Sequence, residues 1–270
     1  FQDLSYYQIK IFDFKQLFFL IFITATVFLI GLYDDKYNIS FEKRLIFLFF
    51  IIFFYLNYNP QINITNIVIE QLFIDIQVNK ISKLLITLIV ISYIVSLNLF
   101  DGINLQSLCY FLVIVSIIIL KNFFVLFNLS IFVPIIFLIY FNYKNKIFLG
   151  DSGIYLIGFL LSYNFIFGYQ SDILTGETIL MMVLMPIIDT IRVIITRVFK
   201  GLNPSKPRKD HIHHLLLNYF NQTWVFALIF MSYFIPLILM VVYEISLIIC
   251  LCIFLVSYFL LINFKYVKKF

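Results

Sequence analysis

Four polar clusters interrupt an otherwise apolar chain, and each carries groups that bind metal or phosphate. "GLYDD" ends an apolar run in the adjacent carboxylates Asp34 and Asp35. Neighbouring acids repel each other, and a helix C-terminus is a poor place for negative charge, so a divalent ion or a basic neighbour is expected beside them. Hard oxygen ligands of this kind suit magnesium, which keeps several waters and shares its shell with substrate phosphates. "NLFDGIN" spaces Asn98, Asp101 and Asn104 at i, i+3 and i+6. On a helix that is an amide–acid–amide row able to hydrogen-bond a nucleotide or sugar; the alternative is a structural turn, which Gly102 would favour. "FLGDSG" sets Asp151 between Gly150 and Gly153, just before another apolar run. There it is either a helix N-cap or a metal ligand placed where phosphates also gather.

"DHIHH" holds all three histidines of the chain, His211, His213 and His214. His211 and His214 can share a helix face, and with Asp210 the pattern has the donors of a zinc site. The preceding "KGLNPSKPRK" is strongly basic, however, and cations beside imidazoles fit an anion such as a pyrophosphate better than an all-protein zinc cage. Upstream, Asp189, Arg192 and Thr196 follow Pro186 at helical spacing and approach the same face; charges inside an apolar helix need partners. The chain has no GxxxxGKS, GxSxG or HExxH pattern, which argues against P-loop, serine-hydrolase and zincin chemistry.

The elements that must position these groups are membrane helices. Of 270 residues, 63% are hydrophobic, 20% aromatic and only 12% charged, against about a quarter charged in soluble domains. Continuous apolar runs near the ~20 residues that cross hydrocarbon recur throughout, without the alternation of a barrel strand. The fold class is therefore an all-α polytopic membrane protein, one domain over residues 1–270. Nine helices are expected, near 16–33, 44–58, 81–98, 105–121, 123–141, 153–169, 177–196, 223–242 and 245–264. The stretch "NPQINITNIVIEQLFIDIQVNK" between the second and third reads as a small hairpin or interfacial loop. Alternating helices put 14 of the 19 Lys and Arg on one side, which the positive-inside rule makes cytoplasmic. That side also receives all four clusters and the terminal "KYVKK". The net charge of +5 is thus largely a topology signal, with some left for an anionic ligand, and does not indicate nucleic acid. Cys109, Cys250 and Cys252 lie in apolar runs without disulfide or zinc spacing.

With those clusters in hand, the chain resembles the polyprenyl-phosphate N-acetylhexosamine-1-phosphate transferases (glycosyltransferase family 4), of the same superfamily as the phospho-MurNAc-pentapeptide translocase. "GLYDD" looks like the family's aspartate pair, "NLFDGIN" its Asn-x-x-Asp-Gly motif, "FLGDSG" its Phe-x-Gly-Asp motif, and "PIIDT" followed by "HIHH" its last cytoplasmic loop. The "HIHH" form is closer to the N-acetylhexosamine branch than to the pentapeptide branch. The resemblance implies transfer of N-acetylhexosamine 1-phosphate from a UDP-sugar to polyprenyl (undecaprenyl) phosphate, with release of UMP, starting a lipid-linked cell-envelope glycan. It implies magnesium, with manganese as a substitute, a bacterial inner-membrane location with active site and C-terminus cytoplasmic, and a homodimer. Residue by residue, Asp151 would ligate magnesium, and Asp34 and Asp35 would sit by the lipid phosphate as base or metal support, Asp35 being a second candidate ligand. Asn98, Asp101 and Asn104 would contact the nucleotide or shape the metal site. His211, His213 and His214, with basic neighbours including Arg192, would hold the sugar-linked phosphate. The motif usually continues Asp-Gly-Leu or Asn-Gly-Leu, whereas this chain has Asn104-Leu105-Gln106. The family also has two helices before the one ending at the aspartate pair, so the chain is expected to be N-terminally incomplete. A catalytically silent member, a transporter or channel, and a zinc hydrolase using "HIHH" are the competing readings. A transporter predicts acids spread through the bilayer depth, and a hydrolase predicts rescue by zinc.

Overall fold

The computed structural model describes residues 14–264 except Pro60, Ser205 and Pro207, and leaves out the Lys80 side chain. The basic "KYVKK" segment and the first thirteen residues lie outside the described residues. Each apolar run expected to be a helix is one: α1 (Phe14–Tyr37), α2 (Phe41–Tyr58), α3 (Ser82–Phe100), α4 (Gln106–Leu120), α5 (Val125–Tyr143), α6 (Gly150–Gln170), α7 (Gly176–Phe199), α9 (Gln222–Tyr243) and α10 (Leu247–Ile262). A short α8 (Ile212–Leu217) carries the histidines between α7 and α9. Six of the helices are long and apolar enough to cross a membrane. Phe14, Phe18, Ile21, Phe22 and Leu29 of α1 are all exposed, a face that water would not tolerate and lipid does. This is a multi-pass, all-α membrane protein.

The segment between α2 and α3 forms the expected hairpin, β1 (Asn66–Ile69) antiparallel to β2 (Ile74–Gln77), with Ile67 opposite Ile76. Its backbone polar groups are satisfied at the far end of the bundle: the Val68 N–H donates to the Tyr169 hydroxyl at 2.8 Å, and Gln71 Oε1 accepts the Leu247 N–H at 2.6 Å. Two pairs of polar side chains inside the bundle bond each other, as hydrocarbon favours. Tyr93 and Tyr110 hydroxyls meet at 2.9 Å, and Asn128 of α5 donates its amide to Asn164 of α6 at 3.0 Å.

Helix α1 packs on α6 at backbone contact. A Cβ on Gly31 would lie 2.7 Å from the Ser152 nitrogen and 2.8 Å from the Asp151 carbonyl, atoms that cannot move aside. Gly31→Ala is therefore expected to push the helices apart and destabilise the protein by about 1–3 kcal/mol, read as a lower thermal midpoint in detergent. The contact matters because it sets the aspartate pair against Asp151.

Candidate active site

Helix α1 does not stop at its two acids. It runs on to Tyr37, so Asp34 and Asp35 occupy its last turn, where the helix dipole disfavours them. Each acid is compensated differently. Asp34 is 1% exposed and takes the Arg44 guanidinium side-on, with Nε 2.8 Å from Oδ2 and an Nη at 3.4 Å from Oδ1. It also accepts the Tyr155 hydroxyl at 2.9 Å and the Ile39 N–H at 3.1 Å. Asp35 turns the other way and accepts the N–H groups of Asp151 at 2.7 Å and Ser152 at 3.1 Å. It is thus an N-terminal anchor for α6, supplied by another helix. The positive end of α6, expected to attract phosphate, is occupied by the Asp35 carboxylate instead. Gly150, at φ +67, gives that carboxylate its space, since a Cβ there would come within 2.8 Å of an Asp35 oxygen.

Asp151 closes the cluster. Its Oδ1 receives the Asn98 amide, its Oδ2 lies 3.9 Å from Arg44, and its side chain stays 30% exposed. Arg44 also donates to the Asn98 carbonyl oxygen at 3.3 Å, so one guanidinium bridges α1, α3 and α6. The donors here are all oxygen, with one open carboxylate edge. That set fits magnesium, which takes one or two carboxylates and completes its shell with water and phosphate.

The "NLFDGIN" segment departs from the helical row expected of it. Helix α3 ends at Phe100, Asp101 caps it with ψ 69, and Gly102 begins a turn into α4. The three side chains consequently diverge. Asn98 goes to Asp151, whereas the Asn104 amide goes to Asn145 on the α5–α6 connection. Asn142 pins the same turn, accepting the Leu105 N–H at 2.7 Å and donating to the Ile147 carbonyl at 2.9 Å. Burial pushes the Asp101 carboxyl above the usual carboxylate range.

A second cluster forms around Asp189 of α7, 2% exposed. It accepts from Arg192 at 2.7 Å, the Tyr258 hydroxyl at 2.8 Å and the Ile212 N–H at 3.3 Å, and it meets His211 Nδ1 at 2.8 Å. Arg192 further donates to the Asp210 carbonyl at 2.8 Å, and Arg197 holds Asp210 at 3.0 Å and the Pro204 carbonyl at 2.7 Å. Arg192, expected to touch substrate, is thus engaged in fixing the histidine loop. Thr196 bonds the Val193 carbonyl of its own helix and takes no part. The two clusters meet at Gly102: a Cβ on that residue would overlap the His213 ring. His213 in turn contacts His214, ring centroids 4.2 Å apart and the planes tilted by 56°.

Burial, then the neighbouring imidazoles His214 and His211, push His213 down to about 3. His214 is lowered in the same direction, again first by burial. The unfolded chain protonates His213 near pH 6.5 and the folded chain only near 3, so stability from this residue is lost as pH falls through that interval. The loss is about 1.4 kcal/mol per pH unit. His213→Phe keeps the ring on Gly102 and removes the titration. The wild type is expected to lose about 2 kcal/mol more than H213F between pH 7.5 and 5, measured by thermal unfolding in detergent.

Residues 17–169, more than half of the chain, match the glycosyl transferase family 4. The chain belongs to that family. The match contains the first three clusters, and the histidine loop lies beyond it. Among curated proteins, the chain is similar to the undecaprenyl-phosphate alpha-N-acetylglucosaminyl 1-phosphate transferase of Haemophilus influenzae, 35% identical over 79 residues, 28% of this chain and 22% of that protein. The protein of the same name from Escherichia coli K12 is 32% identical over 76 residues, 27% of this chain and 21% of that protein. The matched stretch is thus about a fifth of the length of these relatives.

Two cavities frame the site. An apolar groove of about 690 Å³ runs between α2, α3 and α7, lined by Phe41, Leu45, Phe49, Val95, Ile187 and Ile194 among others. A polar cavity of about 720 Å³ lies at the opposite end under the hairpin, with Glu70, Asp172, Glu177 and Glu244 in its wall and none of the candidate residues.

Sequence reasoning missed Arg44, Tyr155, Tyr258 and Asn142. Arg44 carried a signal that went unused: a lone guanidinium on the first turn of an apolar helix, ten residues after a buried acid.

Proposed function

We propose that this chain transfers N-acetylhexosamine 1-phosphate from a UDP-sugar to a polyprenyl phosphate at the cytoplasmic face of a bacterial inner membrane, releasing UMP. The observation that carries the reading is the convergence of Asp34, Asn98 and Asp151 on one guanidinium, that of Arg44. The relatives' shared name supports the same chemistry.

In this reading an oxygen of the lipid phosphate forms a bond to the β-phosphorus of the donor. The bond from that phosphorus to the bridging oxygen breaks, and UMP departs with the electron pair. A phosphate monoester is already substantially ionised near neutral pH, so positioning and charge neutralisation carry most of the work. Asp151 would hold magnesium, with Asp35 supporting it through the α6 backbone; the ion supplies neutralisation of phosphate charge. Asn98 orients the Asp151 carboxylate, and Arg44 with Asp34 holds both in register. His211 is held in place by its Nδ1–H to Asp189, and the exposed Lys206, Arg208 and Lys209 raise the local concentration of the anionic donor. The apolar groove suits the prenyl tail.

The test is UMP release by the protein in detergent, with polyprenyl phosphate, a panel of UDP-N-acetylhexosamines, and magnesium, manganese or EDTA. Release that needs both lipid phosphate and the divalent ion supports transfer. Nucleotide binding without turnover points to a silent family member. Absence of both with folded protein, or turnover restored by zinc alone, overturns the reading.

A further inference from the structure

The turn that links the two clusters leads directly to a buried carboxamide with nothing to bond. Gln106 opens α4 at 2% exposure, and neither its Oε1 nor its Nε2 has a hydrogen-bond partner among the described residues. Its backbone is held where it is by Leu105, which adopts φ +71, a left-handed conformation that a leucine rarely enters. The Asn142 side chain maintains that conformation through the Leu105 N–H. Facing the same turn, His213 rests its ring on Gly102 and leaves Nδ1 buried and without a partner among the described residues. Gly102 is exposed and Asn104 half-buried, whereas Gln106 and His213 are buried. Buried polar atoms are nearly always paired in folded proteins, and those that are not point to a ligand, an ion or water that completes them.

We infer that Gln106 is a specificity-determining residue of the donor site, its carboxamide taking an amide or imide edge of the donor. The inference rests on the transfer reading above and names what the turn recognises. A carboxamide offers one acceptor and two donor hydrogens, so it pairs with any group that presents N–H and C=O together. A UDP-N-acetylhexosamine carries two: the uracil imide and the sugar acetamide.

The experiment uses Gln106→Leu and Gln106→Met, both close in volume and free of polar atoms at the amide. In the ligand-free protein, each is expected to hold or raise the thermal midpoint in detergent, because an unpaired amide is replaced by an apolar group. With UDP-N-acetylglucosamine, each is expected to raise KM by about tenfold or more with kcat largely kept, as when a site loses a hydrogen bond to its substrate. Calorimetric binding of UMP then separates the two sources. An equal weakening of UMP assigns the uracil edge. Unchanged UMP binding, with lost discrimination between UDP-N-acetylglucosamine and UDP-glucose, assigns the acetamide. Unchanged KM, UMP affinity and donor discrimination overturn the inference. So does a lowered ligand-free midpoint with unchanged KM, which would mean an internal water already completes the amide. A wild type that binds no UDP-sugar sinks the transfer reading itself; wild-type turnover with indifferent variants sinks only the role of Gln106.

Discussion

Replacing Asp189 with alanine is expected to cost about 3–5 kcal/mol and to release the histidine loop from the bundle. The carboxylate is buried at 2% exposure and is the common acceptor for Arg192, Tyr258, His211 and the Ile212 backbone. Removing it takes the carboxylate partner from a guanidinium only 18% exposed and from a buried imidazole. Hydrogen exchange should show the effect as lost protection from Gly201 to Leu217, and donor KM should rise as His211 loses its orientation. The companion experiment distinguishes burial cost from fold specificity. Arg192→Leu in the D189A background removes the stranded charge, and it is expected to recover part of the lost stability but not the donor KM. Full recovery of both would mean that the Asp189 network contributes nothing to the site beyond holding itself together.

The positions of the long helices were legible because membrane helices advertise themselves by length and continuous apolarity. Their ends were less so. Helix α1 was expected to stop near 33 because the apolar run stops there, yet it continues through both acids to Tyr37. What lets it continue is a residue read only as a topology charge, Arg44, together with the α6 backbone. Tyr155 and Tyr258 look like any aromatic in a membrane span; their roles appear only when the hydroxyls are seen on Asp34 and Asp189. The helical spacing of Asn98, Asp101 and Asn104 suggested one surface, but Gly102 breaks the helix and sends one amide to α6 and the other to the α5–α6 connection. Composition singled out the polar clusters. It could not say which acids face outward, because that depends on a helix contact made through Gly31, more than a hundred residues from its partner Ser152.

That last distinction yields the sharpest contrast among the acids. Asp151→Asn keeps an acceptor for the Asn98 amide and leaves the α6 N-terminus, and hence the fold, intact. It removes only the open carboxylate charge, so activity is expected to fall by about 10²–10³ in kcat at an unchanged thermal midpoint. Asp35→Asn does the reverse. Its carboxylate bonds two backbone N–H groups at the positive end of α6, and the amide retains one acceptor oxygen in place of two. The expected cost is about 1 kcal/mol of stability, as for other weakened helix caps, with a smaller loss of rate that magnesium titration does not rescue. For D151N the divalent-ion dependence itself should shift, since the residue proposed to hold the ion has lost its charge. If the two substitutions instead gave the same pattern, with both lowering rate at equal stability and both shifting the magnesium requirement, then Asp35 leaves the α6 backbone during turnover and shares the ion directly. The tight seating of α1 on α6 argues against that, because the space beside Gly150 that admits the Asp35 carboxylate exists only while the two helices stay in contact.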